Sequence, residues 1–483
     1  MDKFTNIFPN KEQFDTMNRF LAAIASNSGG VEIKSWSDVQ ALVRQNLHSK
    51  AFAVADQFQC ERATSVSASK GNSTGITAVS VDDVALVEKL GSNLNGTFVL
   101  TYDGNVWLNS VGASVNLKNW GITVTGTPAK DDEIVINVTA STLTFDVLDF
   151  DKHKPKKNSL AHTIDLCLHD VFAYGTMPFS APQLMYYTDV ELPAGKYKFT
   201  LDHARYANGT EYDGTYMFTT TQPIPATGGF RHTNPIGGWK EKYAQSDVLG
   251  NYITTYGASP ARTVVEKGLT VSVWDGSTDC TDLGTFTSQR LDYHTNDGKH
   301  NFTERQAYGS NRWRDSVYRQ WLNSAAAAVP SSDTTTISNW WKPQSVFDMI
   351  PGGAKLAGFL HGLDPTLVAA MGEVEIKTAL HACDRVGDAT YDITYDKVFL
   401  LSRKNVFGTD EYSGISEGEL LEYFNGATNA DRIKYQNGTA RYWWLRTPHS
   451  GGANIVRIVS TSGALSDGGA SYARGVVPAC CII

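Results

Sequence analysis

The last stretch of the chain, residues 442–483, constrains the fold more than any other: it reads YWWLRTPHSGGANIVRIVSTSGALSDGGASYARGVVPACCII. Two blocks, YWWLRTP at 442–448 and GVVPACCII at 475–483, bracket two runs of small polar residues, 449–454 and 466–474. Between the runs lies IVRIV (455–459), rich in β-branched side chains, which reads as a core strand. The pattern predicts a frame of strands and aromatic rings that holds two exposed loops. Together the loops offer one His, one Asp, no Glu, no Cys and no metal-ligand spacing, so no catalytic residues, no metal ligands and no cofactor are expected in them. They read as a contact surface. Its candidate residues are His449, Ser450, Gly451, Ala453 and Asn454 in the first run and Ser466, Asp467, Gly468, Gly469, Ser471, Tyr472, Ala473 and Arg474 in the second. In the strand between, alternation leaves Arg457 as the residue that reaches the surface.

The remaining composition narrows the class. Aromatics at 11% and 42 glycines favour a turn-rich, mainly β chain, and 483 residues suffice for about three cores. A formal charge of −8 argues against a nucleic-acid partner, which would need clustered Lys and Arg. The single basic cluster, residues 152–157, contains a proline and reads as a solvated loop. Six cysteines without CxxC spacing read as free buried thiols. The N-terminus has no apolar signal region, and no apolar run is long enough for insertion into a membrane.

Read in order, residues 1–61 hold helices and a first strand. Asn10 can cap one helix with Phe14, Met17, Leu21 and Ile24 on a face, a second covers 37–47, and 51–60 alternates as a strand. Residues 62–141 form an inserted small β module. It opens with a Ser/Thr/Gly/Ala stretch of linker character (62–80) and continues with a helical piece at 81–90 and strands near 96–107, 120–128 and 132–139. Its flanks, 51–60 and 142–150, are natural strand partners. Residues 142–285 read as a β-sandwich whose tyrosines 186, 187, 206 and 212 serve packing rather than sugar binding, and in which His162 and Asp165, three apart on a strand, do not converge on a metal. Residues 286–483 form the last domain, an α+β part. Its helices cover 316–328, with Val317, Trp321 and Trp313 on one face, and 364–371, with Asp364 as N-cap and Pro365 at the first position. Trp313, Trp321, Trp340, Trp341 and one of Trp443 and Trp444 supply its core. Arg446 is expected to bond strand-end carbonyls, a ligand anion being the alternative. Asp410, Glu411, Glu417 and Glu419 read as a solvated acidic face, calcium being the alternative.

The WWLR-T-P block, VRIV, the turn at 460–465 and GVVPAC resemble the C-terminal domain of variable proteins diversified by retroelements in gut bacteriophages, and GSNRW (309–313), SVYRQWLNS (316–324), GFL (358–360) and DKVFLLS (396–402) are similar too. The resemblance implies a C-type-lectin-like fold for the C-terminal domain and a virion protein made in the host bacterial cytoplasm. It further implies a receptor-binding protein or adhesin that acts as a homotrimer beside other virion proteins. Its diversifiable loops would take a bacterial surface protein or glycan during host attachment. Formylglycine-generating enzymes share the fold, so an enzyme on such a scaffold is the alternative, but Cys480 and Cys481 are adjacent inside an apolar strand rather than placed as a catalytic pair.

Overall fold

A computed structural model describes residues 35–90, 94–180 and 309–483, apart from 331, 334–337, 341–352, 382–383 and 386–388; between 181 and 308 it describes only the backbone of the strands. The fold is mainly β, built from several antiparallel sheets. The largest sheet has eight strands in the order Val398–Phe399, Ala479–Ile482, Ile164–Leu168, Glu133–Phe150, Gly96–Tyr102, Trp107–Leu108 and Ser114–Val115, with Gln57–Lys70 also paired to Glu133–Phe150. The chain's last strand is therefore interior to a sheet begun more than three hundred residues earlier.

Glu133–Phe150 is the spine of this sheet. Its first half alternates, with Ile134, Ile136 and Val138 buried, and its second half, Phe145–Asp149, is buried on both faces. Each half packs in its own core. Ile134 and Ile136 belong to a core with Leu86, Leu100, Trp107 and Ile122, whereas Phe145 and Val147 belong to another with Val39, Leu166, Phe179, Trp313, Trp321, Trp444 and Val477. Position 141/142 lies in the middle of this one strand. The described strands of residues 186–286 form a separate five-stranded antiparallel sheet and a two-stranded pair.

Phe58 pairs with Phe145 and Cys60 with Leu143, the partnership expected of 51–60 and 142–150. The strand starts later than its alternation implied, at Gln57, because Ala51 ends a short helix, His48–Ala51. It also runs on to Lys70, through residues expected to be a linker, and Ile76–Val81 is a strand paired with Ile122–Gly126. The correction has a physical cause: the partner strand satisfies the backbone, Val66 and Ala68 pack on the module's core, and the serines and Thr64 only need to face water.

Ser35 caps Trp36–Arg44, whose Val39, Leu42 and Val43 are buried, and the helix stops before Asn46, which adopts φ 55°. In Val317–Leu322, Val317, Tyr318, Trp321 and Leu322 are buried beside Trp313. The expected extension through the alanines 325–328 does not form. Asn323 instead donates to the carbonyls of Arg319 (2.9 Å) and Val398 (2.8 Å) and accepts from the N–H groups of Lys397 and Val398, tying the helix end to the neighbouring strand. Asp364 caps Pro365–Ala370 as expected, accepting the Thr366 N–H at 2.8 Å.

Trp313, Trp321 and Trp340 are buried, and so are both Trp443 and Trp444, of which only one was expected in the core. Their strand has chain on both faces: Trp443 donates to the Arg432 carbonyl at 3.1 Å, and Trp444 packs against Phe179 at 5.5 Å. The basic cluster 152–157 is not wholly solvated either, since His153 and Pro155 are buried. The helix expected around residues 14–24, Trp341, Cys280, Cys383 and the side chains of His203 and of tyrosines 186, 187, 206 and 212 lie outside the described residues.

Truncating Trp443 or Trp444 to Ala should cost about 3–5 kcal/mol in urea unfolding, whereas exchanges at Ser466 and Asp467 should stay within about 0.5 kcal/mol. Larger losses from the loop-side exchanges than from the tryptophans would show that the frame has been misidentified.

Candidate ligand-binding surface

Trp443–Pro448, Ile455–Val459 and Leu465–Gly469 make a three-stranded antiparallel meander. Its closed end is the turn 460–464, where Ser460 Oγ accepts the Ala464 N–H at 3.1 Å and Gly463 adopts φ 77°. A Cβ at Gly463 would lie 1.6 Å from the Asn429 carbonyl oxygen, so this turn admits only glycine. At the opposite end Pro448 pairs with Val456 and Ile455 with Gly469, which brings the 449–454 loop and the 470–472 loop together. The second polar run is thus partly a correction: residues 465–469 are strand, because Gly468 and Gly469 pair with Val456 and Ile455, and Ala473–Arg474 pairs with Met177–Pro178.

Both loops are pinned from below. The Asn311 side chain donates to the carbonyls of Gly452 (2.9 Å) and Ile455 (3.1 Å), and its backbone N–H donates to Ala453 (3.0 Å). The Ala470 N–H reaches the Asn454 carbonyl at 2.7 Å, joining one loop to the other, and the Ser180 N–H reaches the Ala470 carbonyl at 3.1 Å.

Ser450, Gly451, Asp467, Tyr472 and Ala473 are exposed, and His449, Asn454, Ser466, Gly469, Ser471 and Arg474 are partly exposed. Ala453 and Gly468 are buried and drop out as contact residues: Ala453 faces the Asn311 anchor, and Gly468 lies over the Trp444 ring. Arg457 is not a free surface cation. It donates twice to Glu411, at 2.6 and 2.9 Å, and stands 3.8 Å from Asp467.

Glu411 is the electrostatic centre beneath the first loop. Its side chain is 1% exposed and accepts from Arg457, from Arg403 at 2.7 Å and from the Ser450 N–H at 2.9 Å. Burial opposes ionisation, yet the hydrogen bonds from Arg457, Ser450 and Arg403 prevail and hold this carboxyl down at about 2. Burial and the adjacent Arg457 cation keep His449 below the ordinary imidazole value, so it is neutral near pH 7.

Arg446 is buried, with its guanidinium donating to the carbonyls of Leu400 (2.7 Å) and Glu417 (2.8 Å), the structural role expected of it. Burial lowers it to about 10 in spite of Glu417. The Glu417 carboxyl is buried too, takes hydrogen bonds from Thr447 and the Ala379 N–H, and is raised by burial against the pull of Arg446. The reading of 410–419 as a solvated acidic face therefore fails for Glu411 and Glu417. Local charge density concealed their partners, of which Arg403 lies eight residues from Glu411 and Thr447, Ser450 and Arg457 lie thirty to forty-six residues away.

Around the second loop, the Arg474 guanidinium lies 4.9 Å from the ring of Tyr442 and 5.7 Å from that of Tyr472, and its Nε has no hydrogen-bond partner among the described residues. Tyr472 is 55% and Tyr442 37% exposed. Tyr442 was missed in the sequence because it adjoins the two buried tryptophans. Its place at the start of the block, outside the strand, was the available signal. Cys60, Cys167, Cys480 and Cys481 are buried free thiols, and burial raises all four.

The model of a family described as a domain of unknown function (DUF6273) matches residues 291–483, the part that carries this surface. No curated protein and no solved structure matches the chain.

Because its folded value is depressed, Glu411 stabilises the fold fully above the ordinary carboxylate range, and that stability is lost as pH falls from about 4.5 towards about 2. Glu411→Gln should lower the melting temperature at pH 7 and flatten the decline between pH 4.5 and 2. An acid limb identical to that of the parent would show that Glu411 is not the group that titrates there.

Proposed function

We propose that this chain is a phage receptor-binding protein or adhesin of the retroelement-diversified type. Its C-terminal, C-type-lectin-like domain presents the 449–454 and 470–474 segments to a protein or glycan on a bacterial surface. The observation that carries this reading is the union of two loops at one end of a sheet whose own side chains, Trp443, Trp444, Val456 and Ile458, are buried. Exposed positions such as Ser450, Gly451 and Ala473 can change without disturbing that frame. Tyr442 and Tyr472 supply rigid amphipathic contact area beside the Arg474 guanidinium, which lies 4.9 Å from the first ring and 5.7 Å from the second.

The raised, buried thiols of Cys480 and Cys481 support binding over formylglycine-type chemistry, which depends on an accessible thiolate. A surface of small residues gains strength from linked copies, since avidity multiplies affinity by about 10² to 10⁴, and a homotrimer attached to other virion proteins meets that need.

Tyr472→Ala should abolish binding of the purified protein to host cells while leaving the melting curve unchanged. Normal adsorption by a variant whose two loops are both replaced with Gly/Ser sequence would sink the proposal. Light scattering at micromolar concentration should give a multiple of the 52.8 kDa chain mass, and a monomer would remove the avidity argument.

A further inference from the structure

We propose that His48, Asp151 and His162 form a binding site for a divalent transition-metal ion of the zinc class, far in sequence from the loop surface. Asp151 follows the Glu133–Phe150 strand in the left-handed region, at φ 58°. Its Oδ1 accepts the Thr163 N–H at 2.8 Å, which orients the carboxylate between two imidazoles. His48 Nε2 stands 3.3 Å from Oδ1 without a hydrogen bond, and His162 Nδ1 makes a 3.1 Å hydrogen bond with Oδ2 that an ion would replace. One ligand atom from each of the three residues falls within 4.8 Å of the other two. Donors bound to one zinc at about 2.0–2.2 Å in tetrahedral geometry are separated by roughly 3.3–3.5 Å, close to these spacings.

The second observation is His48 itself. Its side chain is 0% exposed, yet neither ring nitrogen has a hydrogen-bond partner among the described residues. A buried imidazole aimed at a carboxylate without hydrogen-bond geometry is an unsatisfied group, and an ion between the two would satisfy it. Two imidazoles and one carboxylate suit zinc, cobalt or nickel, whereas calcium and magnesium prefer all-oxygen ligation. The Asp151 and His162 side chains are 41% and 29% exposed, which leaves a way in for the ion and room for a water ligand. Bound there, the ion would join the helical segment that carries His48 to the ends of two paired strands. The nearby group His153, Asp165 and Cys481 is closed by its own hydrogen bonds, both at 2.9 Å, and needs no ion.

The test is titration of the chelator-treated full chain with cobalt(II) and then zinc(II), followed by visible absorption and thermal melting. One cobalt per chain, a tetrahedral d–d band without a thiolate charge-transfer band, and a rise in melting temperature with zinc are expected. His162→Ala should lose the band and the zinc-dependent rise, while its metal-free melting curve stays close to that of the parent. Should that variant not fold, Asp151→Asn, whose side chain tolerates a positive φ, provides the same readout. Binding that survives both substitutions, no binding by the parent, or a thiolate-to-cobalt band that assigns the ion to Cys481 would each overturn the proposal.

Discussion

The closing of the main sheet by the last strand is the constraint on which the rest depends. Ala479–Ile482 is bonded to Ile164–Leu168 along one edge and to Val398–Phe399 along the other, and every one of its residues is buried. Backbone donors and acceptors so far from water must be paired, so the strand has one register, and Val398–Phe399 joins the sheet only through it. The Cys481 thiol donating to Asp165 at 2.9 Å adds a side-chain tie. Just upstream, Gly475 exchanges hydrogen bonds with Tyr442 and Trp444, which locks the exit of the second loop to the entry of the meander. The loops are therefore spanned between fixed posts, and changes within them need not be transmitted to the core.

Beneath that surface the charges are arranged in closed groups. Arg457 and Arg403 share Glu411, and Arg446 is spread over carbonyls from three separate segments. Such groups contribute little net stability over well-packed apolar residues, but removing one member leaves an uncompensated buried charge, so they select one arrangement of the chain over its near alternatives.

Much of the frame was legible in the sequence because its signals are local. The β-branched run 455–459, Pro365 following Asp364, and the alternation around Phe58 and Phe145 each carry their own period or cap. What was not legible depends on partners far along the chain. Residues 62–70 look like a linker until Glu133–Phe150 lies beside them, and Gly468–Gly469 look like loop until Ile455 and Val456 claim them. The alanines after Leu322 favour a helix, but Asn323 is drawn to Lys397 and Val398. On the contact surface, the polar runs located the loops, while the sorting of Ala453 and Gly468 inward and Tyr442 outward is decided by Asn311 and by the twin tryptophans, which no window of neighbouring residues displays.

The long pairing of Gln57–Lys70 with Glu133–Phe150 also bears on force. This ribbon passes from the core of the small module into the main core with one irregularity, between Ala63 and Ser65. Tension that draws its two strands past one another acts along their length, so the cross-strand bonds are sheared together instead of being opened singly like a zipper. A load carried through such a ribbon would be shared along its length, the Ala63–Ser65 irregularity being the one register shift in the pairing.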